Sequence, residues 1–293
     1  MKFSDYDKRM KKYEYVTRTY LYTRTPVIIR IDGKAFHSFT RGFVKPFDSV
    51  LVRSMQDTME YLCKNIQGCV LGYTQSDEIS LLLTDFQTLT TSAWFDYNIQ
   101  KCASIASSMA SMIFNRFFTQ YANSDMSGDG ALSGVYEKAL TKGAVFDARV
   151  FNLPKEEVCN YFLWRQNDAV RNSIQMTGHC YFSAKELHKK SCDDIKEMLI
   201  SEKGIDWNTF PTTHRRGSCC IKAYDEKKDK HVWTIDNDIP IFRGNDRAYV
   251  NDLLLTEEER NLTKAIHEAE AGVGLSPAFN NASDAINCII NDD

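Results

Sequence analysis

The chain has 293 residues, with 36 Lys and Arg against 39 Asp and Glu for a formal net charge of −3; 43% of its residues are hydrophobic and 26% charged. Those globular proportions exclude a disordered or coiled-coil chain, and the near-neutral balance gives no global drive toward nucleic acid, for which local basic patches would suffice. No apolar run reaches the roughly 20 residues of a membrane helix, and the charged start MKFSDYDKRMKKYEYV lacks the apolar centre of a secretory signal, so a cytoplasmic protein with no membrane partner is expected.

Residues 5–20, charged and aromatic, read as a surface helix. Pro26 opens VIIRID (27–32), a β-branched strand with Val27, Ile29 and Ile31 on one face and Ile28, Arg30 and Asp32 on the other. Residues 48–64 carry Leu51, Met55, Met59 and Leu62 at helical spacing. CVLGY (69–73), a TQSD turn and EISLLL (78–83) read as a hairpin. Residues 94–118 form the clearest helix, with a stripe of Ile99, Cys102, Ala106, Met109, Ile113 and Phe117. A polar loop (121–143) then leads to the strand GAVFDARVFNL. This β-α-β-β-α-β order predicts an α+β fold: a ferredoxin-like sheet with helices on one face, the arrangement of a polymerase palm.

Beyond Pro154 the pattern is mainly helical: 155–175, 183–202 and 246–271, with a further strand near VWTI. A boundary near residue 153 divides a palm-like catalytic domain, 1–153, from a C-terminal region, 154–293, that packs on it. The nine cysteines, Cys63, Cys69, Cys102, Cys159, Cys180, Cys192, Cys219, Cys220 and Cys288, are odd in number and lack zinc spacing, and read as small apolar packing residues.

In a βαββαβ sheet the end of the first strand adjoins the tip of the central hairpin, and each carries an acid: Asp32 at one, Asp77 with Glu78 at the other. Carboxylates from two strands can hold a pair of Mg²⁺ ions roughly 3.5–4 Å apart. Taken singly, a strand-end Asp-Gly and a hairpin-tip Ser-Asp-Glu are common turns; together they point to metal and nucleotide. The amides of Gly33, Lys34, Ala35, Phe36 and His37 could cradle a triphosphate, with His37 and Lys45 as further donors. Along the third helix Arg165, Asp168 and Asn172 share a face; the Arg and Asn suit phosphate or base edges, and Asp168 suits the orientation of Arg165. Trp164 reads as core. Lys8, Arg9, Lys11 and Lys12, then Lys185, His188, Lys189 and Lys190, then His214, Arg215 and Arg216, form basic clusters. On the residues alone a nucleotidyltransferase, a palm-type nucleotide cyclase and a non-catalytic RNA-binding module all stay open.

RIDGKAFHSFTRGFVKPFD, GYTQSDEISLLL, WRQNDAVRNSI and HRRGS, in this order and spacing across residues 5–222, resemble the tRNA-His guanylyltransferase family of 3′→5′ nucleotidyltransferases. The resemblance implies that Asp32, the carbonyl of Gly33 and Asp77 bind two Mg²⁺ ions, with Glu78 the neighbouring acid. It further implies that Asp32 to His37, with Ser76 and Asp77, take the incoming triphosphate, that Lys45 serves activation of the tRNA 5′ end, and that Arg30 and Lys101 contact nucleotide. ATP and GTP are then substrates, tRNA the partner and a homotetramer the assembly. Arg165, Lys189, Lys190, Arg215 and Arg216 become candidate tRNA contacts. The eukaryotic His-Ile-Asn-Asn motif is replaced by Val170-Arg171-Asn172-Ser173, of which Asn172 alone is kept. That change and the tail (223–293) resemble the bacterial and viral branch, which implies templated repair of tRNA 5′ ends beside, or in place of, guanosine addition to tRNA-His.

Overall fold

The computed structural model describes residues 3–126 and 132–271. Helix α1 (Phe3–Tyr15) is followed by β1 (Val27–Gly33), the short α2 (Phe36–Phe39), α3 (Ser49–Asn65), the hairpin β2 (Cys69–Gln75) and β3 (Glu78–Leu83), α4 (Ile99–Met126), α5 (Ser133–Lys142) and β4 (Phe146–Asn152). Then come α6 (Lys155–Tyr181), α7 (Cys192–Lys203), α8 (Thr212–Arg216), β5 (Ser218–Asp225), β6 (Lys230–Asp236), α9 (Ala248–Asn251) and α10 (Glu257–Glu270). The strands form one sheet in the order β4-β1-β3-β2-β5-β6, antiparallel throughout. Its first four strands have the expected βαββαβ connectivity. Beyond residue 153 the chain adds β5 to the edge at β2, pairing Gly72 with Cys220 and Thr74 with Ser218.

The alternation read in VIIRID has a direct consequence: both faces of β1 are buried. Val27, Ile29 and Ile31 join Met55, Met59 and Leu62 of α3 and Ala106, Ala110 and Phe114 of α4 in one core. Ile28 joins Leu71, Tyr73 and Leu82 on the opposite face, under Val158, Cys159 and Phe162 of α6. The helices therefore lie on both faces of the sheet: α3 and α4 cover the expected one, and α6 covers the other because that face is apolar too. A third cluster joins Ile174 of α6 to Ile195 and Leu199 of α7 and to Trp207.

Several elements differ from the sequence reading for local reasons. α1 stops at Tyr15, five residues early. The predicted helix at 94 begins instead with Phe95, Asp96 and Tyr97 in the left-handed region (φ 52°, 52° and 53°), so α4 starts at Ile99 and runs on to Met126. Its buried stripe includes Phe114 and Phe118 in place of Phe117. The expected loop 121–143 contains α5, anchored by Tyr136, whose hydroxyl donates to Asp48 Oδ2 at 3.0 Å. The predicted helix 183–202 is a run of turns until Ser191 and Asp194 form a capping box that starts α7.

Six cysteines, Cys63, Cys69, Cys102, Cys159, Cys219 and Cys220, are buried free thiols, Cys180 is exposed, Cys192 half-buried, and Cys288 lies outside the described residues. The chain divides into a unit Met1–Leu254 and a second, Leu255–Asp293. Of the second, α10 is described; it opens on a Thr256–Glu259 capping box and has no buried residue. Among the described residues no helix is long and apolar enough to cross a membrane.

Candidate active site

β1 ends at Asp32 and Gly33, and the two-residue turn Ser76-Asp77 closes the hairpin between Gln75 and Glu78, with Ser76 in the left-handed region at φ 51°. The two features are joined by backbone: Gly33 N–H donates to the Asp77 carbonyl at 3.0 Å and Lys34 N–H to the Val145 carbonyl at 2.8 Å. Two amides of the expected phosphate cradle are thus already spent. Those of Ala35, Phe36 and His37 remain, at the start of α2, with Ala35 left-handed at φ 55°. Gly33 is required here by packing: a Cβ at this position would stand 2.2 Å from the Phe36 ring.

Asp32 sits opposite Glu78 on β3 and opposite Asp147 on β4, so three carboxylates cross the sheet in one row. The next row on the same face places Arg30 beside Arg149. Like charges directly opposite are unfavourable, and the two rows offset each other in part through the Arg30–Glu78 ion pair at 2.8 Å. The sequence reading passed over Asp147 and Arg149. Their signal was the alternation Asp147-Ala148-Arg149 in a strand that pairs with β1.

Burial pushes the Asp77 carboxyl above its ordinary value and Asp32 adds to the rise, against the Ser76 hydroxyl, which donates to Asp77 Oδ1 at 3.0 Å, and against Arg30. Glu78 has a different environment. Its Oε2 accepts from Arg30 Nη2 at 2.8 Å and from Arg165 Nη1 at 2.9 Å, with the Arg165 and Glu78 side chains 4% and 5% exposed. Burial raises the Glu78 pKa while the two guanidiniums oppose it. Glu78 therefore anchors an ion-pair clamp between sheet and α6. Arg165, expected at the tRNA surface, is instead buried in that clamp, its Nη2 3.7 Å from Asp168. Asp168 orients it, as the helical spacing suggested, and also pairs with Arg171.

A cleft of about 1240 Å³ opens beside the hairpin tip. Its walls are His37 of α2 with Arg41 and Lys45 of the loop that follows; Gln75, Ser76 and Asp77; Asn172, Met176 and His179 of α6; and His214 of α8. Expected site residues from three distant segments, His37 with Lys45, Ser76 with Asp77, and Asn172, thus share one wall system. His214 stacks on Phe47, with centroids 4.3 Å apart and planes at 17°, and burial lowers its pKa.

Other expected residues lie elsewhere. Lys101 is in the first turn of α4, which begins beside Thr19 and Leu21. The neighbouring Tyr22 N–H donates to Asn152, which pairs with Val27 at the opposite end of β1 from Asp32. At about 3.3 Å per strand residue that separation is about 17 Å, so the structure does not bring Lys101 to the acids. Lys189 and Lys190 are exposed in the turns before α7. Arg216 is half-buried, its Nε donating to the Ile239 carbonyl at 3.0 Å, and Arg215 has a buried, unpartnered Nε. Trp164, expected in the core, is 54% exposed with the Arg165 guanidinium 3.6 Å from its ring centroid.

Among the described residues no group of three or more His, Cys, Asp or Glu side chains is arranged to hold a metal ion. The pair Asp32 and Asp77 with a peptide carbonyl still forms an all-oxygen donor set. That suits Mg²⁺, which is commonly held by one or two carboxylates together with substrate phosphates and water.

The sequence profile of the tRNAHis guanylyltransferase (Thg1) family matches residues 7–154. A bacterial tRNA(His) guanylyltransferase (Thg1)-like protein solved in complex with ATP is 40% identical, with a TM-score of 0.73 over 85% of this chain and 98% of its own. The corresponding complex with GTP is 38% identical, with a TM-score of 0.71 over 85% and 99%. A probable tRNA(His) guanylyltransferase of Dictyostelium discoideum is 28% identical over 240 residues, 75% of this chain and 86% of its own. With the expected motifs, sheet order and cleft in place, the chain belongs to the tRNAHis guanylyltransferase (Thg1) family.

Proposed function

We propose that this chain is a 3′→5′ nucleotidyltransferase that adds a nucleotide, typically guanosine, to the 5′ end of tRNA. The observation that carries the reading is the meeting of Asp32 and the Ser76-Asp77 tip beside a cleft lined by His37, Lys45 and Asn172. The ATP and GTP complexes of the bacterial relative support both nucleotides as substrates. In the proposed reaction a 5′-monophosphate is first activated by ATP or GTP. In that step the 5′-phosphate attacks the α-phosphorus of the activating nucleotide and releases pyrophosphate. The 3′-hydroxyl of the incoming nucleotide then attacks the RNA's 5′ phosphorus and expels AMP or GMP, or pyrophosphate where the RNA end carries a triphosphate.

Two Mg²⁺ ions, held by Asp32, the Gly33 carbonyl and Asp77, would supply neutralisation of phosphate charge and acidify the attacking hydroxyl. The protein contributes position and charge, which is most of what phosphoryl transfer asks of it. The free amides of Ala35, Phe36 and His37 face the triphosphate, and Ser76 steadies Asp77. Lys45 acts on the activated 5′ end, and Asn172 contacts nucleotide from α6. Glu78 serves as the anchor that keeps Arg30 beside the phosphates. Lys101 stands outside this assignment within one copy of the chain.

In the same proposal residues 1–153 carry catalysis. The part from 154 on, described to residue 271, adds tRNA binding through Lys189, Lys190 and the Arg215–Arg216 pair. The enzyme works as a homotetramer in the cytoplasm. The Val170–Ser173 segment favours templated repair beside guanosine addition.

The test supplies the full chain with Mg²⁺, ATP and labelled nucleotides, and with two 5′-monophosphorylated substrates, tRNA-His and a tRNA lacking its first 5′ nucleotide. Extension of either is expected, and Asp32→Asn and Asp77→Asn should abolish it with the circular dichroism spectrum unchanged. Failure of the folded wild-type chain to extend both, or full turnover in either variant, would overturn the proposal.

A further inference from the structure

Trp164 is the most exposed large apolar side chain of α6 and adjoins Arg165 of the Arg30–Glu78–Arg165 clamp. A tryptophan is usually deep in a protein, because its large apolar surface is costly to hydrate. Here 54% of it meets solvent. The ring is nonetheless held in place. The Arg165 guanidinium lies 3.6 Å from its centroid, and the Tyr161 ring approaches at 6.0 Å and 62°. Tyr161 is itself fixed by a 2.8 Å hydrogen bond between its hydroxyl and Ser80 Oγ, and by the Phe151 ring at 5.8 Å. The result is a preorganised aromatic surface with little conformational entropy left to lose.

Its neighbours include three arginines, two of them paired with Glu78. Arg165, 4% exposed, keeps a buried Nε without a partner, as does Arg30 below it. Arg149, exposed, stands opposite Arg30 on β4, two residues before the Phe151 that packs on Tyr161. From Trp164 the solvent-facing strip of α6 continues through Asp168 and Asn172 to Gln175, and the last two line the cleft beside Asp77. A strand laid along α6 would thus meet an aromatic surface at one end and the nucleotide cleft at the other.

We propose that Trp164 is a stacking platform for a nucleobase at the 5′ end of the RNA substrate, held by Arg165 and Tyr161, with Arg149 and Arg30 facing the adjoining phosphate. The inference rests on the nucleotidyl-transfer reading above and assigns the RNA a place separate from the triphosphate cleft. Aromatic platforms suit this task because every base offers a π-face, and a neighbouring Arg adds to the attraction.

The test titrates a 5′-monophosphorylated tRNA transcript against the full chain and follows tryptophan fluorescence and the KM for each substrate. RNA should quench the wild-type fluorescence, and Trp164→Phe should lose that quench while keeping the RNA KM within about threefold. Trp164→Leu, which fills the space without a π-face, should raise the RNA KM about tenfold, or about 1.4 kcal/mol, within the worth of one base–aromatic stack. The KM for the nucleoside triphosphate should stay within twofold. Equal RNA KM values for the Leu and Phe variants would overturn the proposal. So would a parallel rise in both KM values, which would reduce Trp164 to a prop for the clamp. A wild-type chain that binds RNA with this quench yet adds no nucleotide would retain the platform and remove the transfer reading. Nucleotide addition indifferent to Trp164 would do the reverse.

Discussion

The clamp on Glu78 can be tested by removing its buried cation. Arg165→Met keeps much of the side-chain volume but leaves Glu78, 5% exposed, with Arg30 as its remaining ion-pair partner beside the Ser80 hydroxyl, which donates to Oε1 at 3.5 Å. Breaking a buried ion pair from one side typically costs about 3–5 kcal/mol, because the abandoned charge has already lost its water. Arg30, at 2.8 Å from the same oxygen, supplies part of what is lost, so a cost near the bottom of that range, about 3 kcal/mol, is expected. With a urea dependence of about 3 kcal/mol per molar, the unfolding midpoint should fall by about 1 M. Arg165→Met combined with Glu78→Gln removes both charges, and should be less destabilised than the two single effects added, by about 0.5–3 kcal/mol. The readout is equilibrium urea unfolding of the full chain followed by circular dichroism. An Arg165→Met midpoint within 0.2 M of wild type would refute the reasoning, since Glu78 would then have no need of the α6 guanidinium.

Two other outcomes follow from the site. Gly33→Ala drives a Cβ to 2.2 Å from a Phe36 ring that Phe39, Phe114 and Phe146 already enclose, so the ring cannot step aside. Overpacking of this kind costs about 1–3 kcal/mol, and the shift of α2 should weaken ATP binding; an unchanged melting curve and ATP titration would count against it. Burial holds the His214 imidazole below its ordinary value, so between that lowered pKa and about 6.5 the unfolded chain binds more protons than the folded one. Stability is therefore full above about pH 6.5 and declines as pH falls below it, and His214→Phe should flatten the slope of the urea midpoint between pH 7 and 5.5. Identical slopes for the two proteins would dismiss His214 as a contributor.

Much of this protein was legible in one dimension. β-branched alternation with Pro26 before it defined β1 and, through period-two geometry, placed Arg30 and Asp32 on one face. Short-range turn chemistry put Asp77 at a hairpin tip, and the βαββαβ order then made the ends of β1 and of the hairpin neighbours. Those features depend on local backbone preference and on side-chain periodicity, which any short window of the chain carries. What only the tertiary structure decided concerns partners far apart in sequence. Arg165 meets Glu78 across 87 positions because α6 packs on the second apolar face of the sheet, and that docking turned an expected tRNA contact into a buried clamp. The same docking left Trp164 outside, though its residue type argued for the core. Lys101 carries a suitable charge but sits on a helix that starts at the other end of the sheet. Asp147 and Arg149 took on meaning only when register set them opposite Asp32 and Arg30. Composition and periodicity specify which face a side chain takes; which group waits on that face is set by how whole elements pack, and that free energy is shared among residues no local window contains.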